Sequence, residues 1–250
     1  MSTILSVKGV TKSFGRLIAV DDVGFDVAEG EIYGIAGPNG AGKTTLFNLI
    51  TGIPFRADKG SIVFQGQAIE RLEAHAIYQR GVARTFQKET TFDTLTVEQN
   101  VRVSAVFGRA HQRQNYDEEV TRALKLLDLD RVRGVKAGDL PLYPKKRLMI
   151  ASAIVSNPKL LMLDEPAGGL GAIELAEIEK LILSLRDSGI TVVIIEHVLP
   201  LLFGVSDRVM IMDFGQRIAE GTPQQVARDE VVIEAYLGQR GKEAFDAIGG

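Results

Sequence analysis

The run Gly37-Pro38-Asn39-Gly40-Ala41-Gly42-Lys43-Thr44-Thr45 constrains the fold of this chain more than any other stretch. It fits the pattern G-x-x-x-x-G-K-[ST] and stands in the context that pattern requires. Ahead of it lies the strand-like Ile32-Tyr33-Gly34-Ile35-Ala36, after a Glu29-Gly30 turn. Behind it Lys43 to Ile50 carries Leu46, Leu49 and Ile50 at helical spacing, with Gly52 placed to end the helix. Small residues let backbone N–H groups point inward at phosphate oxygens, and the helix N-terminus adds partial positive charge. Lys43 then reaches the β and γ phosphates, and the Thr44 hydroxyl ligates Mg²⁺. Residues Gly37 through Thr45 are therefore candidate nucleotide-binding residues.

A chain of 250 residues suits one large domain or a core with an inserted lobe. Its 45% hydrophobic and 24% charged residues exclude disorder as the main state. Absence of cysteine excludes disulfides, thiolate zinc sites and a cysteine nucleophile. A net charge of -3 argues against nucleic-acid binding through bulk positive charge. The start, Met-Ser-Thr-Ile-Leu-Ser-Val-Lys, lacks the features of an export signal. The apolar segments Leu160 to Leu163 and Val192 to Val205 are short or interrupted by Glu196 and His197, so a soluble or peripheral protein is expected.

Short strand-like runs at Ile4 to Val7, Ile18 to Val20 and Gly24 to Val27 predict a largely antiparallel opening. Between about Thr94 and Asn157 the pattern turns helical and charged, as in Asp117 to Leu129 with Val120, Leu124 and Leu127. An inserted α-helical lobe is expected over 94–157. Alternation resumes with a strand at Lys159 to Leu163, a helix carrying Leu175, Ile178, Leu181 and Leu185, and a strand at Thr191 to Ile195. Arg208 to Met212 and Gln216 to Ala219 read as strands around an Asp213-Phe214-Gly215 turn, and Pro223 opens a helix toward Leu237. The expected class is α/β: a phosphate-loop core with a mainly parallel sheet, an N-terminal antiparallel β-subdomain and the helical lobe. It forms a single domain over 1–250, with the core at 1–93 and 158–250.

Leu160-Leu161-Met162-Leu163-Asp164-Glu165 is an apolar strand ending in two acids, where a nucleotide hydrolase needs a magnesium-side carboxylate. Asp164 is the candidate for that role, and Glu165 for the base that polarises the attacking water. Taken alone, such a pair also fits a helix cap or a solvated surface. His197 directly follows an apolar strand, at the kind of strand end where α/β sheets place ligands. His75 and His111 have no such setting.

In this order the motifs resemble those of ATP-binding subunits of ABC transporters, over nearly the whole chain. Besides the two Walker motifs, Arg84-Thr85-Phe86-Gln87 resembles the family's Q-loop and Ile194-Ile195-Glu196-His197 its switch histidine. The resemblance implies ATP hydrolysis with Mg²⁺. Gln87 would touch the metal or the attacking water, and His197 would hydrogen-bond the γ-phosphate. Phe14 lies where the family carries an aromatic that stacks on adenine, although a phenylalanine beside early strands also reads as core.

The chain departs from the family ahead of the second Walker motif. Where the signature Leu-Ser-Gly-Gly-Gln is expected, Leu140-Pro141-Leu142-Tyr143-Pro144 stands, followed by Lys145-Lys146-Arg147. The prolines have no N–H to offer a nucleotide, and Gly171 replaces the usual D-loop aspartate. Both losses concern a partner's site, which suggests a heterodimer whose two ATP sites differ; an ATP-binding subunit of impaired hydrolysis is the alternative. The cationic triplet near a helix N-terminus opposes the helix dipole, and a solvated basic face is the expectation for it.

Phe86-Gln87, Glu196-His197 and the tail from Ala219 through Gly238 resemble the branched-chain amino-acid importer subgroup. Subunits for urea, short amides or lipopolysaccharide share much of the pattern. The implied assembly is two ATPase chains, two transmembrane permease subunits and a separate solute-binding protein, with this chain on the cytoplasmic membrane face. A soluble ABC ATPase acting on nucleic acid or ribosomes would call for tandem cassettes, coiled-coil insertions or a basic face, none of which occurs. No Asn-Lys-x-Asp motif of a GTPase occurs either.

Overall fold

The computed structural model describes residues 2–88, 90–107 and 115–237. His111 and Gly238 lie outside them. The chain divides into two compact units, Met1–Ala74 with Thr191–Gly250 and His75–Ile190. The segment of the Q-loop and the strand ending in the acid pair group with the helices.

In the first unit β1 (Thr3–Phe14) and β2 (Leu17–Ala28) form a long hairpin. With β4 (Lys59–Phe64) and β5 (Gln67–Ala68) they make the expected antiparallel sheet, in the order β2-β1-β4-β5. The two short runs expected at Ile18 to Val20 and Gly24 to Val27 are one strand. A bulge at Asp22, whose φ is 51°, shifts the phase of the buried residues between Val20 and Val23 and masks the continuity.

The unit's second set of strands is β3 (Ile32–Ala36), β8 (Thr191–Ile195), β9 (Arg208–Asp213) and β10 (Gln216–Gly221). β3 runs parallel to both β8 and β9, and β10 returns antiparallel to β9. Every residue of β3 and β8 is buried, as unbroken apolar runs in a covered parallel sheet require. Between β3 and β4 lies α1 (Lys43–Thr51), closed by Gly52 at φ 67° with its N–H on the Asn48 carbonyl. After β8 comes α7 (Leu199–Val205), which packs on β3; a Cβ at Gly34 would stand 2.9 Å from Leu202 Cδ1, so a side chain there would separate them. The expected last helix is two, α8 (Pro223–Val226) and α9 (Glu230–Leu237).

The second unit holds α2 (Ala74–Arg80), β6 (Val82–Arg84), α3 (Val97–Phe107), α4 (Tyr116–Leu126), α5 (Leu142–Ile154), β7 (Leu160–Asp164) and α6 (Ala172–Asp187). β6 and β7 pair in parallel, Val82 with Leu160 and Arg84 with Met162. α3, α4 and α5 pack together as the helical lobe. Val120, Leu124 and Leu127 are buried as their spacing predicts, but α4 stops at Leu126 because Asp128 turns to φ 50°.

Tyr33 ties the first unit together across β3. Its ring stacks on Phe25 of β2 with centroids 5.0 Å apart, and its hydroxyl donates to Glu220 Oε1 of β10 at 2.9 Å. Burial, then the Glu220 carboxylate, push the phenol far above its ordinary range, so it stays a neutral donor. Tyr33→Phe should keep the fold and lower stability by about 1–2 kcal/mol. Urea unfolding checks this, and an unchanged midpoint would show that Glu220 is satisfied by Arg208 and Arg217 alone.

Candidate functional site

The first unit builds a phosphate cradle from backbone. The chain leaves β3 at Gly37 with φ 153°, passes Gly40 at 84° and enters α1 through Gly42 at 98°. A Cβ at Gly37 would stand 2.1 Å from the Met212 carbonyl oxygen, and one at Gly42 would stand 2.3 Å from that of Ala19. The loop is thus seated on β9 and β2 so closely that only glycine fits. A further bond, Gly215 N–H to the Ala41 carbonyl at 3.1 Å, fastens the β9–β10 turn beneath it.

Lys43 is buried, and its ammonium donates to the carbonyl oxygens of Gly37 at 2.7 Å and Pro38 at 2.9 Å. The cation is therefore held over the loop by its own carbonyls, where an anionic phosphate oxygen is a stronger acceptor. No acidic residue occupies the first turn of α1, so the N-terminal end of its dipole remains available to an anion. Asn39 and Gly40 are exposed at the loop tip, and Thr44 and Thr45 are half-buried on the first turn.

His197 follows β8 on the same edge. Ile35 pairs with Ile195, and Glu196 N–H donates to the Ile35 carbonyl at 3.4 Å, so the residue after β8 emerges beside the start of the phosphate loop. The Glu196 carboxylate, fully buried, accepts from the His197 N–H at 3.2 Å and fixes the backbone there, leaving the imidazole exposed. Phe14 ends β1 with 42% of its surface exposed, so the reading of it as core does not hold. Its ring meets Phe55 edge to face at 4.8 Å. His75 is exposed.

The second unit presents the acid pair and the Q-loop as one hydrogen-bonded group. Arg84 and Asp164 form an ion pair at 2.7 Å with both side chains almost wholly buried. Burial pulls the guanidinium below its ordinary range while Asp164 pulls it back up. Thr85 N–H donates to the Met162 carbonyl at 2.9 Å, and its hydroxyl accepts from the Asp164 N–H at 3.2 Å. Gln87 Nε2 donates to Glu165 Oε2 at 2.8 Å. Sequence reasoning nominated Gln87, Asp164 and Glu165 but missed the Arg84 ion pair, whose members meet only through the register of β6 on β7.

The segment replacing the signature makes contacts within its own chain, although Pro141 and Leu142 are exposed. Pro141 caps α5, and Leu142 packs where a Cβ at Gly169 would come within 3.0 Å of it. Burial, then a hydrogen bond with Glu177, push the Tyr143 hydroxyl up to about 12. The three cations that follow do not form the expected solvated face. Lys145 pairs with Asp93 at 3.0 Å and Arg147 with Asp128 at 3.5 Å, while Lys146 is buried.

The Thr44 hydroxyl in the first unit, and the Gln87 amide and Asp164 carboxylate in the second, are oxygen donors of the kind that Mg²⁺ takes. Among the described residues no cluster of three or more acidic or histidine side chains could hold a metal by itself. A Mg²⁺ ion bound by so few side chains would take its remaining ligands from phosphate oxygens and water, as is usual for this ion.

A family profile described as ABC transporter matches residues 20–168, and one described as branched-chain amino acid ATP-binding cassette transporter matches residues 216–242. The high-affinity branched-chain amino acid transport ATP-binding protein LivG of Escherichia coli is 37% identical over 94% of this chain and 98% of its own length. BraF of Pseudomonas aeruginosa, with the same description, is 36% identical over the same shares. The lipopolysaccharide export system ATP-binding protein LptB of Haemophilus influenzae is 35% identical over 96% of this chain and 99% of its own. A crystal structure of a nucleotide-free ATP-binding cassette superposes with a TM-score of 0.87 at 32% identity, covering 95% of this chain and all of that one. An ADP-bound cassette gives 0.86 at 32% identity over 96% of this chain and all of that one.

The loop geometry makes a sharp demand on residue 42. Gly42→Ala should lower stability by about 2 kcal/mol or more, through the collision with Ala19 and a backbone angle that alanine resists. It should also weaken nucleotide binding. Urea unfolding and calorimetry with ATP check both, and wild-type values would show that the loop does not sit as described.

Proposed function

The chain belongs to the ABC transporter family of ATP-hydrolysing transport ATPases, and from that premise we propose that it energises an importer for branched-chain amino acids. The observation that carries the nucleotide reading is the cradle that admits only glycine at positions 37 and 42, with Lys43 held over it. Branched-chain solutes are supported by the two relatives named for them and by the second profile at the tail. The lipopolysaccharide export relatives leave that cargo as the alternative.

In this reading the backbone N–H groups between Gly37 and Thr45, Pro38 excepted, and the Lys43 ammonium bind the triphosphate, and Phe14 stacks on adenine. Thr44, Asp164 and Gln87 would hold Mg²⁺, which when bound would supply neutralisation of phosphate charge. Glu165 takes a proton from the attacking water, Gln87 orients that water, and His197 donates to the γ-phosphate as charge develops on it.

The partners in this reading are a second, different ATPase subunit, two transmembrane permease subunits and, indirectly, a solute-binding protein, with no nucleic acid. None of the helices described is long and apolar enough to cross a membrane, so attachment at the cytoplasmic face would come through the permeases. A heterodimer is favoured by the substituted signature: prolines at 141 and 144 lack N–H groups, and Tyr143 is committed to Glu177. This chain's own nucleotide would then be the better served of the two.

Lys43→Ala should raise the dissociation constant for MgATP at least tenfold, by removing a phosphate charge partner. Glu165→Gln should leave it within about twofold while cutting turnover by about 10²- to 10⁴-fold. Calorimetry and phosphate release separate the two, and wild-type turnover in Glu165→Gln would remove it as base. With the partner subunit present, the matching substitution in the partner should cost less turnover than Glu165→Gln. Equal losses would overturn the asymmetry.

A further inference from the structure

Lys145, Lys146 and Arg147 are consecutive in α5, and the structure sends them in different directions. Lys145 and Arg147 reach Asp93 and Asp128, acids that are themselves largely exposed. Lys146 turns inward and is 5% exposed. It lies on the stripe of α5 that also carries the buried Met149, Ile150 and Ala153, a position that helical spacing would give to an apolar side chain. An ammonium there has lost its water, which costs free energy unless a protein acceptor replaces it. The acceptor is the main-chain carbonyl oxygen of Glu165, 3.2 Å from Nζ.

That carbonyl belongs to a residue in a rare conformation. Glu165 has φ 50°, the left-handed region that a non-glycine residue enters only when its surroundings hold it there. The same carbonyl accepts from the Gly168 N–H at 3.2 Å, and a Cβ at Gly168 would lie 3.9 Å from Lys146 Nζ, so the ammonium runs along the turn 165–168. With two donors on its carbonyl, the peptide following Glu165 is fixed in orientation. Its side chain leaves the backbone in a direction set by that peptide and meets Gln87 at 2.8 Å.

We propose that Lys146 is a positioning residue: bonded to the Glu165 carbonyl oxygen, it holds the main chain of the hydrolytic base in the conformation that aims its carboxylate. The proposal rests on the reading of Glu165 as that base. It also gives the substituted signature segment a use within its own chain, since α5 begins in that segment and reaches the base through a single side chain. Methionine would fill the volume of Lys146 without desolvating a charge, so packing alone gives no reason for a lysine here.

The full-length chain, purified with the subunits that co-purify from its native membrane, is compared as wild type, Lys146→Met, Lys146→Arg and Glu165→Gln. Lys146→Met should melt no lower than wild type and bind MgATP within twofold, yet lose turnover at least about tenfold, because small displacements of a reacting group are costly. Lys146→Arg, which restores a donor, should recover to within about threefold. In Lys146→Met the Gly168 amide should exchange with deuterium at least about tenfold faster, as expected of a loosened turn. Turnover of Lys146→Met within twofold of wild type, or equal losses in Met and Arg, would overturn the proposal while leaving Glu165 as base. Wild-type turnover in Glu165→Gln would overturn the base reading and the proposal with it. Should Lys146→Met fail to fold, the decision passes to Lys146→Arg against Lys146→Gln: the arginine should retain turnover and the glutamine lose it, and the reverse order overturns the proposal.

Discussion

The carbonyl oxygens of Met212 and Ala19 lie against the loop between β3 and α1, at the places where residues 37 and 42 would carry Cβ atoms. This clearance fixes more than the loop. β3 must be buried on both faces to deliver the chain to that point, and β9 must run parallel beside it so that Met212 arrives at the same edge. The β1–β2 hairpin must close near Ala19, which brings Phe14 onto the surface at the turn just before it. Burying the strands is thus tied to the backbone geometry that can bind phosphate. A side chain at either glycine would disturb both.

The second unit reaches order by the opposite means, with side chains as the fixed points. Three rungs join β6 and the Q-loop to β7 and its acids: Arg84 with Asp164, Thr85 with the main chain of Met162 and Asp164, and Gln87 with Glu165. The first is buried and charged, so removing either partner would strand an unpaired charge in a dry site, at a cost of about 3–5 kcal/mol. The last is exposed and joins a neutral amide to a carboxylate that water can solvate, so the Gln87 amide can exchange this acceptor for water or a phosphate oxygen with little loss. A gradient of strength therefore runs along the Q-loop, rigid where it joins the sheet and adaptable at Gln87.

What the sequence made legible follows from this contrast. The apolar runs of β3, β7 and β8, the helices α1 and α6 and the phosphate loop show in single stretches of chain, because burial on both faces or a glycine-lysine pattern leaves a local mark. β2 read as two pieces because the bulge at Asp22 breaks a period of two. The Arg84–Asp164 pair is invisible locally, as its members are 80 residues apart and meet only through the register of β6 on β7. The burial of Lys146 was hidden by its neighbours. Yet at about 100° per residue three consecutive cations span about 200° of a helix, so they could not all share one solvated face.

The same geometry bears on how the substituted signature can be tolerated. At the start of α5 the prolines remove N–H donors, the Tyr143 hydroxyl is bonded to Glu177, and Leu142 packs toward Gly169. A nucleotide approaching from a partner would find little there to bind its γ-phosphate. None of these changes falls within the sequence of the loop 37–45, and none displaces Asp164 or Glu165, whose fixed points are Arg84, Thr85, Gln87 and Lys146. By the proposed reading the damage is confined to the site this chain would complete for another subunit. A helix end released from a partner's phosphate can accept residues that would otherwise be excluded, and Pro141, Tyr143 and Pro144 are residues of that kind.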